Sequence, residues 1–212
     1  MKFTEQLEER FGRNKPIFAS EIVDLFKGEY SRATVYRLIA EAKQNKEIIQ
    51  SLRGVYYLPT IRFWGGISTI TPDSILEKKY MWNDKEVFGV IGGAAIVNFF
   101  SFTTQMAATI EIISNNEPTR RREIHIGRRR FRLRKSRCTI TKDNYPSYMI
   151  LQLMHDLEED DRIDDYSRYT VTKFVNEHDV TQAKLLEVAP YFPARTVKRL
   201  LKSEVFNEIA RR

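Results

Sequence analysis

The sequence predicts a mixed α/β (α+β) chain, and three observations predict it. Residues 20–59 place two short, apolar-striped helical segments before two strand-like runs that meet at Gly54. Residues 107–137 are β-branched and then alternate arginine with apolar residues, which is strand spacing. Residues 181–212 return to helical spacing, interrupted between Pro190 and Pro193.

Taken in order, Phe3, Leu7 and Phe11 recur at i, i+4 and i+8, which predicts a first helix with a narrow apolar edge. Pro16 disfavours helix at the residue before it, so residues 15–19 are expected as a short extended connector, with Phe18 packed under the helices that follow. Ser20 is the expected N-cap of the next helix, whose apolar face is Ile22, Val23 and Phe26. Gly28 stands where the chain needs positive φ. Ser31 then caps a helix with Val35, Leu38, Ile39 and Ala42 facing inward. Strands at 48–53 and 55–58, hinged at Gly54, complete a winged helix-turn-helix over residues 1–60.

The outward face of the second helix suits a major groove. Ala33 and Ala40 allow close approach, while Tyr36, Arg37 and Gln44, with Ser31, Arg32 and Thr34 at the N-terminal end, can reach base edges and phosphates. Arg53 stands at the tip of the hairpin. Residues 1–60 carry ten Lys/Arg against eight Asp/Glu, so any binding there rests on placement and not on bulk charge.

Residues 61–212 are expected to form a mixed α/β second domain ending in helices. Trp64 lies just past the boundary, where a large side chain is expected to staple one domain to the next. Thr71 caps a helix over 72–81 with Pro72 at its first position. Gly89, Gly92, Gly93 and Ala94 lack G-x-G-x-x-G spacing and a following Lys-Ser/Thr, so close packing explains them better than phosphate binding. Nor does an Asp-x-Asp pair follow; the first acid is Glu111.

Residues 120–137 hold nine Arg and one Lys against one Glu. A hairpin turning near Gly127 puts Ile124, Ile126, Phe131 and Leu133 on one face, and Arg130, Arg132 and Arg134 outward on the other. With Arg128 at the turn, they form a basic surface for nucleic acid or an acidic partner. Residues 148–159 read as an amphipathic helix, running into an acidic stretch, 156–165, suited to an electrostatic partner within or between molecules. Val197, Leu200, Leu201, Val205 and Ile209 are the expected inward face of the C-terminal helices.

Composition narrows the function classes. The chain has 212 residues, 42% hydrophobic, with a formal net charge of +7, which fits a globular protein with a polyanionic partner. Cys138 is the single cysteine, so no intramolecular disulfide forms. The opening MKFTEQLEERFG has no long apolar run, and the most apolar window, 88–100, is too short to span a bilayer. A soluble cytoplasmic protein is the expectation. His125, His155 and His178 share no ligand spacing, and Cys138 sits among arginines that lower a thiol pKa but has no neighbouring base. No enzyme, cofactor or metal is predicted.

SRATVYRLI and GVYYLP, the RFWGG link, IGGAAIVNFFSFTTQ, a strand ending in Asn, and the Arg-rich hairpin follow one another along most of the chain. In that order they resemble the AbiEi-type antitoxins of type IV toxin–antitoxin systems, linked to abortive phage infection. It implies an N-terminal domain that binds double-stranded operator DNA and represses its own operon, with DNA-reading roles for Arg32, Thr34, Arg37 and Arg53. It also implies a C-terminal domain that counteracts a nucleotidyltransferase-like toxin without a stable complex, the protein acting as a monomer or weak dimer on DNA. The alternative is a general winged-helix transcriptional regulator, or a nucleic-acid-binding protein whose second domain takes a ligand or RNA.

Overall fold

The computed structural model describes residues 2–61, 63–104, 107–127, 129–158 and 164–210. It is mixed α/β and divides into two compact units, Met1–Lys78 and Lys79–Arg212.

The first unit opens with α1 (Phe3–Phe11), which buries Leu7 completely. The connector after it is a short strand, β1 (Ile17–Phe18), paired antiparallel with Tyr56 and Val55. Helix α2 (Ala19–Leu25) begins one residue before Ser20, so Ser20 is not its cap. The Phe18 backbone N–H instead donates to the Glu21 carboxylate at 2.8 Å, a local bond that fixes the start. Gly28 has φ +94°, open to glycine at little cost. Helix α3 (Arg32–Gln44) is capped by Ser31, whose hydroxyl accepts from the Thr34 N–H at 3.1 Å.

Strands β2 (Ile49–Leu52) and β3 (Val55–Tyr57) form the hairpin, each a residue shorter at one or both ends than the sequence pattern suggests. The sheet order is β1-β3-β2, all antiparallel, with Gly54 at φ +75° in the turn. Ile17, Ile22, Phe26, Val35, Ile39, Ala42, Ile48 and Tyr56 join Leu7 in one core. This unit continues past the hairpin to Lys78. Tyr57 donates from its hydroxyl to the Ser68 carbonyl at 3.0 Å, and Thr60 N–H to the Ser68 hydroxyl at 2.8 Å. On α4 (Pro72–Tyr80), Lys78 Nζ donates to the Pro16 carbonyl at 2.7 Å and pairs with Glu21 at 2.8 Å. Thr71 caps α4 by accepting from the Ser74 N–H at 3.2 Å. Trp64 is 92% exposed, its ring edge-on to Phe63 at 5.2 Å, so it is not a staple; a ring that buries so little area holds little together.

The second unit has a four-stranded sheet. Its strands are β4 (Gly89–Gly92), β5 (Thr109–Ser114), β6 (Arg121–Ile126) and β7 (Arg129–Lys135), in the order β4-β5-β7-β6. β5 and β7 run parallel; the other two pairs are antiparallel. The glycines mark close approach. A Cβ on Gly89 would stand 1.9 Å from the Tyr80 carbonyl oxygen, and one on Gly92 would stand 2.8 Å from Ile113 Cδ1. Helix α5 (Ala94–Phe99) follows Gly93, which has φ +60°.

Helix α6 (Tyr145–Asp156) is not amphipathic. Every residue from Pro146 to Met154 is buried, because β4 and α5 pack on it from one part of the chain and α8 and α9 from another. A helix enclosed on all sides carries no polar stripe. Helix α7 (Asp165–Glu177), capped by Asp164, was not legible as an element behind the acidic run. Helices α8 (Gln182–Val188), α9 (Ala194–Lys202) and α10 (Glu204–Ala210) follow, with a 3₁₀ turn over Ala189–Tyr191 making the break at the prolines. Leu200, Val205 and Ile209 are buried as expected, but Leu201 is half exposed; α9 ends one residue later, and its inward stripe passes through Thr196 and Leu200. Among the described residues no helix is long and apolar enough to cross a membrane.

Candidate nucleic-acid interface

In the first unit, Val35, Ile39 and Ala42 hold α3 to the core, which leaves its opposite face uncovered. Arg32, Ala33, Tyr36, Arg37, Ala40 and Gln44 are all exposed on it. The Arg32 guanidinium lies 5.7 Å from the Tyr36 ring centre, and the ring is 41% exposed, so the pair presents one flat cationic surface. Arg37 is freer: its nearest carboxylate, Glu41, is 4.0 Å away and both side chains are solvated, an arrangement worth little. Ser31 and Thr34 are partly committed to the helix start, their hydroxyls 2.9 Å apart.

The hairpin is held beside α3 by Lys43, whose Nζ donates to Gln50 Oε1 on β2 at 3.1 Å. Arg53, next to the positive-φ Gly54, is exposed in the turn. The sequence-predicted residues of the first unit thus share α3 and one hairpin.

The basic surface of the second unit is different from its expectation. Arg128 lies outside the described residues. Arg130 is exposed. Arg132 and Arg134 do not project freely outward. β7 is an interior strand, and its parallel register sets Glu111 of β5 opposite Arg132. Glu111 is 7% exposed and takes Arg134 at 2.7 Å and Arg132 at 3.6 Å; Arg132 also reaches Glu123 on β6 at 3.2 Å. Nearby, Arg122 binds the fully buried Glu117 at 2.8 Å. Burial alone would raise the Glu117 pKa, but hydrogen bonds from Thr119 and Arg122 outweigh it and hold the carboxyl low. Arg122, Arg132 and Arg134 are thus paired with carboxylates of the same unit. The acidic stretch does not supply these partners, and its residues 159–163 lie outside the described residues. Asp156, at the end of α6, accepts from the Gly93 N–H and from Gln152 Nε2, both at 2.7 Å; burial raises its pKa against those bonds.

Beside this cluster His155 bridges two elements. Arg137 can only donate, so His155 Nε2 accepts at 3.0 Å, which leaves Nδ1–H to donate to Thr196 Oγ1 at 3.1 Å. Burial first, then the positive charges of Arg137, Arg195 and Arg134, push the imidazole down to about 4, so it is neutral at pH 7. Cys138 also departs from expectation. Burial raises its thiol pKa instead of lowering it. Among the described residues no group of three His, Cys, Asp or Glu side chains could hold a metal ion.

One feature escaped the sequence pattern. On α9, Arg195, Lys198, Arg199 and Lys202 recur at i, i+3, i+4 and i+7, and with Met154, His155, Leu157 and Glu158 they line a cavity of about 980 Å³. The stripe is legible in the sequence as cations at helical spacing; the cavity beneath it needs the fold. No family model and no curated protein matches the chain.

Proposed function

We propose that this protein is a DNA-binding repressor whose first unit is a winged helix-turn-helix, α3 entering the major groove and the β2–β3 hairpin serving as the wing. The observation that carries this is the uncovered face of α3. It is small at Ala33 and Ala40, where backbone must approach, and cationic or hydrogen-bonding at Arg32, Tyr36, Arg37 and Gln44. Exposed Arg53 on the adjoining hairpin adds a phosphate contact. Within this reading the chain is an AbiEi-type antitoxin: the first unit silences its own operon, and the second counteracts a nucleotidyltransferase-like toxin without a stable complex. It works in the cytoplasm, as a monomer or weak dimer on DNA, without catalysis or cofactor.

Two substitutions test the DNA assignment. Arg37→Ala is expected to weaken operator binding by about 1–3 kcal/mol and to relax preference at one base pair. Arg53→Ala is expected to weaken binding to all sequences alike and to flatten the salt dependence. Footprinting and salt titrations read both; unchanged affinity and specificity in Arg37→Ala removes α3 from the groove. Protection of cells from a co-expressed toxin separates the antitoxin from a general regulator, because only the former gives a second-unit phenotype with repression intact.

A further inference from the structure

The second unit holds a cavity lined, among the described residues, by four cations of α9 and one carboxylate, Glu158. Arg199 is structurally engaged: its Nη1 donates to the Met154 carbonyl at 3.1 Å and also to the Leu157 carbonyl, satisfying acceptors at the end of α6. Arg195, Lys198 and Lys202 have no hydrogen-bond or ion-pair partner among the described residues. That sets them apart from Arg122, Arg132 and Arg134, each matched to a buried or half-buried carboxylate.

Part of the placement runs against helix stability. Like charges at i, i+3 and i+4 repel, and Arg195 stands in the first turn of α9, where the helix dipole favours a negative group; Arg199 and Lys202, in the last turn, suit the dipole. Arg195 also helps to keep His155 neutral, so the imidazole adds a polar wall without competing as a cation. The floor supplies apolar surface at Met154 and Leu157. A volume of about 980 Å³ lies at the upper end of the roughly 300–1,000 Å³ of small-molecule sites.

We propose that this cavity binds a small phosphorylated anion of the di- or triphosphate class. Arg195, Lys198 and Lys202 hold the phosphate oxygens, and Met154 and Leu157 pack against the remainder of the ligand. Ammonium and guanidinium groups lining one concavity match several adjacent phosphate oxygens better than a single carboxylate does. The proposal concerns the second unit alone and does not rest on the DNA reading of the first.

The test is calorimetric titration of the full chain with inorganic pyrophosphate, and separately with ATP, at low ionic strength. Saturable binding with one ligand per chain is expected, along with a higher melting temperature. The triple variant Arg195→Gln/Lys198→Gln/Lys202→Gln is expected to weaken binding by roughly tenfold or more, since each cation supplies charge-assisted hydrogen bonds. A variant with Arg32→Ala and Arg37→Ala in α3 is expected to bind both probes as the parent does. If the triple variant loses its circular dichroism spectrum, Arg195→Gln and Lys198→Gln singly carry the same test, each with a severalfold loss. Absence of saturable binding in the parent overturns the proposal, and so does unchanged affinity in these variants. A short single-stranded oligonucleotide distinguishes the other source of phosphate. Binding of the oligonucleotide that depends on the same three cations, while pyrophosphate and ATP fail to bind or compete, assigns the cavity to a nucleic-acid backbone and also overturns the proposal.

Discussion

At the scale of single residues, His155 shows how a side chain reads differently in space than in sequence. In sequence it belongs to no ligand pattern; in the fold it is a neutral link between Arg137 and Thr196. An unfolded histidine takes a proton near pH 6.5, whereas this one resists protonation down to about 4. Between those values the unfolded chain binds more protons, so stability is lost as pH falls through the window. Melting curves from pH 7 to 4 are expected to drop more steeply for the parent protein than for His155→Gln, which keeps a polar side chain without the titration. Parallel curves would show that the imidazole contributes nothing to the acid response. Gly89 is the other single-residue test. A Cβ there would collide with the Tyr80 carbonyl oxygen, so Gly89→Ala is expected to destabilise by roughly 2–3 kcal/mol in a denaturant titration.

At the scale of elements, α3 was legible because everything that makes it is local: the Ser31 cap, the Val35/Ile39/Ala42 stripe, and the polar remainder. The alternation of β7 was equally legible, since Phe131 and Leu133 are buried as their spacing predicts. What faces Arg132 and Arg134 was not. Their partner Glu111 sits on β5, which pairs directly with β7 in parallel although β6 separates the two in sequence, and no local periodicity encodes that choice. The consequence is energetic. Arg132→Gln with Arg134→Gln leaves Glu111 buried without a countercharge, and is expected to cost about 2 kcal/mol or more. Adding Glu111→Gln to that variant is expected to recover part of the loss, as chemical denaturation of the four proteins in the cycle would measure. An arginine pair contributing only solvated charge would show neither effect.

At the scale of the whole molecule, the chain partitions into a unit that ends near Lys78 and one that begins there. Ser68 and Lys78 tie the 61–78 stretch to the strands and to α2, so a fragment of residues 1–78 is expected to melt cooperatively at a higher temperature than one of residues 1–60. Identical melting of the two would make that stretch a mere connector. The second unit has a different dependence, set by the enclosure of α6. That helix presents apolar side chains in every direction and is covered only when α8 and α9 have arrived to meet β4 and α5. During synthesis, then, the ribosome releases a greasy rod well before the segments that hide it. Until the last helices emerge, the growing chain displays the kind of surface that chaperones hold and proteases cut. A message truncated after residue 180 therefore yields no weakened protein but a substrate for disposal, and cellular abundance is expected to be controlled from the C-terminal end.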